Sequence, residues 1–555
     1  MGRKPIADAI VPQTLAGPDI DNALPTTGKS DSGTKRLVTG TNTIGLSGGG
    51  AMNDFNNDGL LDLMTSSWSL DDPIQLLLNK GDGSFKNATG NANIAGITGG
   101  LNLICADYDN DGDQDPLILR GAWLNKWGRQ PNSLLRNEGE GRFADVTESA
   151  GLLSYHPTQT ATWFDFNADG NLDLFIGNES NTYDTHPSEL YQNNGDGTFS
   201  EIGSQSNLTV NQWIKGVASG DFDNDGWPDL YISVLGGKNK LYRNGRNPNN
   251  EGWLFEDVTD SAGVGEPIRS FPCWFWDYNN DGWEDLFVGG FNIENVGDIT
   301  AHYRGLPNTL ERPRLYRNNQ NGKFDEVALS TGLDECWIPM GANFGDLDND
   351  GYLDFYAGTG DTPLDTTLPN KMYRNNGGRN FQDVTTSGGF GHLQKGHAVS
   401  FGDYDNDGDQ DVHIVMGGAF SGNRYMNALF QNPGHGNGWI KLVFKGEQSN
   451  RNGLGVRLKL TLETPKGPRV IHRTVSTGGS FGGNPFRQEI GLGKATQIDS
   501  IEVTWPSSGT RQHFKNIEIN QSYTVLEEAD ELKPNPLKAI YVDRDASNSH
   551  KRHHE

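Results

Sequence analysis

Short apolar runs and clusters of Asp, Asn and Gly take turns along most of the chain. The stretch from Trp213 shows the unit: IKGVASGD, an acidic turn, LYISV, then KLYRN, a tight turn, and WLFEDVT. Runs this short, rich in β-branched and aromatic residues and bounded by turn formers, predict strands. The third strand recurs as Leu-Leu-Arg-Asn (134–137), Leu-Tyr-Gln-Asn (190–193) and twice as Leu-Tyr-Arg-Asn (241–244 and 315–318). Turns such as NKGDGSF (79–85) and NNGDGTF (193–199) carry the Gly and Asp a hairpin needs. No helical period is legible. Four antiparallel strands per unit predict an all-β fold, a seven-bladed β-propeller.

The count of seven comes from the acidic turn, a nine-residue pattern with Asp or Asn at positions 1, 3 and 5, Gly at 6 and Asp at 9. Its starts lie 53, 58, 56, 56, 69 and 57 residues apart, a spacing expected of a propeller rather than of independent domains. The candidate ligands are Asp54, Asn56, Asp58 and Asp62; Asp107, Asp109, Asp111 and Asp115; Asp165, Asn167, Asp169 and Asp173; Asp221, Asp223, Asp225 and Asp229. They continue as Asp277, Asn279, Asp281 and Asp285; Asp346, Asp348, Asp350 and Asp354; Asp403, Asp405, Asp407 and Asp411. Alternate oxygens facing one side, a sharp turn at Gly and a closing carboxylate suit Ca2+, in up to seven sites. Oxygen donors without His or Cys disfavour zinc and copper. Position 12, Glu in an EF-hand, is Thr65, Ile118, Ile176, Ile232, Val288, Ala357 or Ile414. Strands therefore follow these turns, and the motif is strand-loop-strand. One such turn alone could be an Asx-rich bend; seven in register are not.

Charge fits that picture. The formal net charge is −27, and positions 1, 3, 5 and 9 of the loops hold 25 carboxylates, so seven Ca2+ would bring the balance to about −13. Only 34% of residues are hydrophobic and 73 are Gly, thin material for a large conventional core, so metal is expected to supply cohesion. Nucleic acid is excluded as a partner by the acidity and the lack of a basic stripe. No apolar run approaches the ~20 residues of a membrane span. The opening MGRKPIADAIVPQTLAG lacks the apolar core of a secretory signal, which allows a cytoplasmic location. Calcium sites fill most readily in the periplasm or outside the cell, which favours an extracellular or periplasmic one. Cys105, Cys273 and Cys336 each fall within ten residues before a metal loop and read as inert buried thiols.

The first strand of the unit has a small residue five positions before the loop (Gly49, Gly216, Gly341, Ala398) and a large one two before it (Met52, Trp163, Phe275, Phe344, Phe401). These offsets fall on opposite faces, so large side chains of one blade pack on the small face of the next. From about Trp439 to Glu528 the pattern changes to Lys/Arg-richer alternating strands without a metal loop. SNRNGLGVRLKL (449–460), GGSFGG (478–483), IGLGKA (490–495), VTWPSSG (503–509) and NQSYTV (520–525) resemble an ASPIC/UnbV domain, and the repeats resemble FG-GAP/VCBS repeats. The combination is similar to the cartilage acidic protein family and its bacterial relatives. The resemblance implies a calcium-loaded propeller with a small β appendage and leaves activity open. The expected organisation is an N-terminal extension (1–35), the propeller (36–435), an ASPIC/UnbV-like β domain (436–528) and a polar tail (529–555).

With metal loops on one rim, the opposite rim collects the segments leading into each first strand and the loops after each second strand. It is expected to gather His156, Trp213, Lys215, Arg269 and His397 with Trp123, Glu179, His186 and His302 in one funnel. The longest loop, 289–313, brings His302; long loops on rigid scaffolds are often functional. His156, His186, His302, His397 and Arg269 are the catalytic candidates. No nucleophile triad, P-loop or HExxH is present. Two functions follow: a binding module whose rim grips a protein, glycan or small molecule, or an enzyme (a lyase, isomerase or cyclase) acting on a small molecule in the funnel, with His and Arg moving protons.

Overall fold

The computed structural model describes residues 11–14, 44–248, 252–291, 296–363 and 366–540. Seven four-stranded antiparallel sheets follow one another along the chain. Their first strands are Gly50–Asn53, Asn102–Ala106, Thr158–Phe164, Ile214–Gly220, Ser270–Trp276, Pro339–Gly345 and Gly396–Gly402. Each first strand packs beside the next, and the seventh returns to the first, which closes a β-propeller ring. In the fourth sheet Ile214–Gly220, Asp229–Val234, Lys240–Arg246 and Trp253–Asp257 pair in order, with Tyr231 opposite Leu241 and Asn244 opposite Phe255. The seventh sheet takes its outer strand from the other end of the chain: Val11–Thr14 pairs antiparallel with Ala428–Gln431. That strand lies within the expected N-terminal extension.

The core sits between sheets. Between the fifth and sixth, Trp274, Trp276, Phe287, Trp337, Phe355 and Phe381 form one buried cluster, with Trp274 stacked on Phe287 at 4.2 Å. Each such side chain contributes about 1.5–3 kcal/mol of burial. Trp337, 1% exposed, stacks on Phe287 within the cluster. The small positions of the first strands face the backbone of the following sheet: a Cβ on Gly216 would lie 2.5 Å from the Phe271 carbonyl oxygen, and one on Gly49 would strike the main chain at Leu103. Large residues fill the opposite face, Phe275 against Gly220 and Phe401 against Gly345.

Among the described residues, three short α-helices depart from the expected absence of helix. Thr259–Ala262 and Ala328–Thr331 are single turns stopped by Gly263 and Gly332 at φ 79° and 82°, the left-handed cap that Gly adopts without strain. Val296–Tyr303, inside the longest loop, has two turns and anchors Ile299 in the core. Pieces this short carry no repeating pattern; packing, not propensity, makes them helical. No helix among the described residues is long and apolar enough to cross a membrane.

Beyond the ring, two further four-stranded sheets form a C-terminal unit. One joins Gly438–Lys445, Gln488–Gly493, Gln521–Leu526 and Lys533–Pro534, with Gly438–Lys445 and Gln521–Leu526 parallel; the other joins Arg457–Thr464, Gly467–Thr474, Gln497–Thr504 and Arg511–Ile517. Leu442, Leu460, Ile471, Ile490, Ile501 and Trp505 fill the space between them. The first part of the expected polar tail runs back to the ring: Ile540 is buried and its N–H donates to the Asp405 carbonyl at 2.7 Å.

Candidate metal centres and the opposite rim

All seven acidic turns adopt one conformation. The Gly at position 6 has φ between 85° and 102°, and the residue at position 4 is left-handed as well (Asn57, Asn110, Ala168, Asn224, Asn280, Asn349, Asn406; φ 52–60°). Asn is the side chain that tolerates this region best, a backbone requirement not among the sequence expectations. In the fourth loop Asp221 Oδ1 accepts from the N–H of Asp225 at 3.0 Å and Oδ2 from that of Gly226 at 3.0 Å. Asp229 opens the second strand and accepts from Phe222 N–H at 3.1 Å and Asn244 N–H at 2.9 Å. The same bonds recur at Asp54 and Asp62, Asp165 and Asp173, and Asp403 and Asp411.

In four loops at least three carboxylates each bring an oxygen within 4.8 Å of the others: Asp107, Asp109 and Asp115; Asp221, Asp223 and Asp225; Asp346, Asp348 and Asp354; Asp403, Asp405 and Asp411. Asp107 Oδ1, Asp109 Oδ1, Asp223 Oδ1 and Asp405 Oδ1 are buried with no hydrogen-bond donor. Burial first, and the neighbouring Asp charges second, push Asp107 and Asp405 up to about 8. Convergent, desolvated carboxylate oxygens lacking donors suit a hard cation, and these clusters could hold a metal ion. In the loops at Asp54, Asp165 and Asp277, position 3 is Asn56, Asn167 and Asn279, with its side-chain oxygen accepting from the position-5 N–H.

The loops are tied into the ring. An Asn at or near the end of each third strand donates its side-chain amide to the position-2 carbonyl of the preceding loop: Asn79 to Tyr404, Asn137 to Phe55, Asn193 to Tyr108, Asn244 to Phe166, Asn318 to Phe222, Asn375 to Tyr278 and Asn432 to Leu347, at 2.6–2.9 Å. Position-4 Asn side chains reach the following loop, Asn280 to the Gly351 carbonyl at 2.7 Å and Asn349 to Gly408 at 2.8 Å.

The C-terminal unit covers the loop face. The position-1 Oδ2 meets a side chain of this unit in four loops: the Ser507 hydroxyl donates to Asp165, Lys441 pairs with Asp403, and the Arg457 and Arg473 guanidinium groups lie 3.7 and 3.9 Å from Asp221 and Asp346. Lys441 and Asp403 are both buried. The glycine-rich 478–483 segment enters the ring axis. Gly483 bridges Ala51, Ser480 bridges Ala342, and the Phe481 carbonyl accepts from Val399 N–H at 2.9 Å. The Phe481 ring meets His397 at 4.6 Å and Phe271 at 5.4 Å, and Trp123 lies on both of those rings. The axis is thus filled with aromatic rings.

The expected funnel residues separate into distinct places. His397 is fully buried on the axis, its Nδ1 3.0 Å from the Gly48 carbonyl; burial pushes it down to about 4. His302 sits on the helix Val296–Tyr303 against Tyr303. Arg269, half-buried, pairs by main chain with Leu235. Lys215 is buried in an ion pair with Glu179, its ammonium 4.9–5.5 Å from the Trp213, Trp123 and Phe271 rings, a cation–π setting that keeps a desolvated charge paired. His156 and His186 do meet, Nδ1 to Nδ1 at 2.8 Å. Asp184, not among the candidates named from the sequence, contacts His186 Nε2 at 3.0 Å.

Residues 54–118, 165–232, 277–357 and 360–414 match the FG-GAP-like repeat, and residues 446–532 match the ASPIC and UnbV family. Among curated proteins, cartilage acidic protein 1 of Homo sapiens is 24% identical over 339 residues, 59% of this chain and 47% of that protein. The Xenopus tropicalis protein of the same name is 28% identical over 195 residues, 33% of this chain and 28% of its own. The chain spans about half or less of the length of these relatives. Among solved structures, BBS1N in complex with ARL6DN superposes with a TM-score of 0.38 at 11% identity, covering 70% of this chain and 94% of that chain. Acidic turns at each first hairpin, the all-β ring and the matched C-terminal segment agree: the chain belongs to the cartilage acidic protein-like family of FG-GAP repeat propellers with a C-terminal ASPIC/UnbV domain.

Proposed function

We propose that this chain is a calcium-loaded interaction module that grips a protein or glycan through the rim opposite its acidic loops. One observation carries the reading: the C-terminal unit lies over the loop face and Phe481 fills the axis, so the rim is the face left open. Across the second to fourth sheets that rim presents Trp127, Tyr155, Tyr183 and Trp213, 66%, 54%, 99% and 40% exposed. Rigid aromatic rings with polar tips give contact area at low entropic cost and stack on sugar faces or protein backbones. The ion pair Arg129–Asp184 at 2.7 Å lies among them.

Calcium in this reading is structural, held by positions 1, 3, 5 and 9 of the loops, where it would neutralise the clustered carboxylates and stiffen each hairpin. All-oxygen donors and the buried, donorless Asp oxygens support this choice of ion. An extracellular setting, where calcium is abundant, agrees with animal relatives named for cartilage.

The test is a glycan array and a panel of extracellular matrix proteins probed with calcium-loaded chain, then with a Trp127→Ala/Tyr183→Ala variant and with Asp223→Ala. The expected result is binding lost in the rim variant at unchanged melting temperature. Binding that survives in the rim variant and disappears in a folded Asp223→Ala variant would move the contact surface to the loops.

A further inference from the structure

We propose that His156 and His186 form a second kind of metal site on the rim, taking a late first-row divalent ion such as Zn2+ or Cu2+ through two imidazole nitrogens. The two Nδ1 atoms face each other at 2.8 Å, with ring centroids 5.1 Å apart and ring planes inclined by 74°. Tetrahedral ligands at zinc–nitrogen bonds of 2.0–2.1 Å stand about 3.3 Å apart, so a shift of about half an ångström seats an ion between them.

The protonation pattern around His186 points the same way. Its Nε2 lies 3.0 Å from Asp184 Oδ2, and the other oxygen of Asp184 is fixed by Arg129 Nη2 at 2.7 Å. A carboxylate held in this way accepts from His186 Nε2–H and leaves the lone pair on Nδ1, which accepts from His156 Nδ1–H; an ion seated between the rings displaces that one proton to water. A carboxylate on the far nitrogen of an imidazole is the usual outer support of a metal-bound histidine. His186 is itself buried and locked by its main chain, its N–H donating to Ser180 Oγ at 2.7 Å and its carbonyl accepting from the same hydroxyl at 2.6 Å. His156 is held by a main-chain bridge to Gln130 in the neighbouring sheet's loop. Three segments of two sheets therefore converge on one pair of nitrogens.

Nearby Glu189 is engaged by Tyr191 OH at 2.8 Å, Asn178 Nδ2 at 3.1 Å and Ser154 Oγ at 3.2 Å, which leaves imidazole as the donor type here. Nitrogen donors select Zn2+ or Cu2+, whereas the acidic loops select a hard ion. His156 is half-exposed, so the remaining coordination positions are left to water or to a donor atom of a bound partner. The site stands whether or not the rim binds a macromolecule.

The test uses the full chain in excess calcium, titrated with Cu2+ and followed by electron paramagnetic resonance, with Zn2+ competition. His550, His553 and His554 are replaced by Gln throughout, because the terminal HKRHHE would also bind copper. The expected result is one ion with couplings from two nitrogens, displaced by Zn2+. Those couplings should disappear in H156Q and H186Q, and affinity should fall about 10- to 100-fold in D184N with the two-nitrogen signature kept. Equal binding in parent and H156Q, or copper held without histidine nitrogens, would overturn the proposal. His156 is half-exposed, so if H186Q loses its calcium-dependent melting transition, H156Q alone decides.

Discussion

The side chain of Asn244 donates to the main-chain carbonyl of Phe166 at 2.7 Å, while its own N–H donates to Asp229 at 2.9 Å. One residue thereby joins the closing carboxylate of its own acidic turn to the acidic turn before it, and six equivalents do the same around the ring. Asn244→Ala should cost about 1–3 kcal/mol, the penalty for leaving buried carbonyls without a donor. Asn244→Asp should cost more, because it sets a second carboxylate against Asp229 and against two carbonyls. Urea unfolding of both variants in saturating calcium checks the order.

Removing calcium should lower the melting temperature strongly. Each filled site adds RT ln(1 + [L]/Kd), about 2.7 kcal/mol at a hundredfold excess over Kd. Scanning calorimetry in calcium and in EGTA reads this directly, and an unchanged transition would refute calcium as a structural ion. Asp223→Ala, which removes one buried donorless oxygen, should reduce the calcium-dependent gain without abolishing it.

Gly482 admits no side chain. A Cβ there would overlap the Val399 carbonyl oxygen, so Gly482→Ala should force the glycine-rich segment out of the axis. The C-terminal unit should then loosen, with faster proteolysis near residue 446 and a larger radius of gyration by X-ray scattering, while the ring persists. Phe481→Ala keeps the backbone path and should cost about 3–5 kcal/mol through the cavity it opens.

Acid should weaken the axis through His397. Its Nδ1 is satisfied by Gly48, but its Nε2 is buried without a partner, so the charged form is disfavoured and the group sits near 4 instead of 6.5. The unfolded chain binds this proton first; stability from His397 is complete above pH 6.5 and declines toward pH 4, by up to about 1.4 kcal/mol per pH unit. His397→Gln should flatten that part of the curve, seen as a difference from the parent in denaturant midpoints measured between pH 4 and 7.

Much of this was legible locally. Strands, turns and the nine-residue acidic pattern are short-range signals, and each chain segment declares its own state. What the residues could not declare is who meets whom. Asn244 reads as the polar end of a strand until Phe166 is seen beneath it. The GGSFGG segment reads as a loop of a separate unit, though its phenylalanine completes the ring's axis. The histidines shared one expected rim, yet His397 lies deeper along its strand, among Phe481 and Trp123, and only His156 and His186 come together. Asp184 and the position-4 asparagines lacked any signal beyond their identity, since their roles depend on a left-handed turn and a neighbouring sheet.

The seventh Asn link carries a consequence for biosynthesis. Six of the links join sheets that emerge from the ribosome one after another, but Asn79 must await Tyr404, 325 residues later. At 5–20 residues per second that interval is about 16–65 s. For that time the nascent arc has two uncovered sheet faces, and escorting it falls to the compartment where the chain is made.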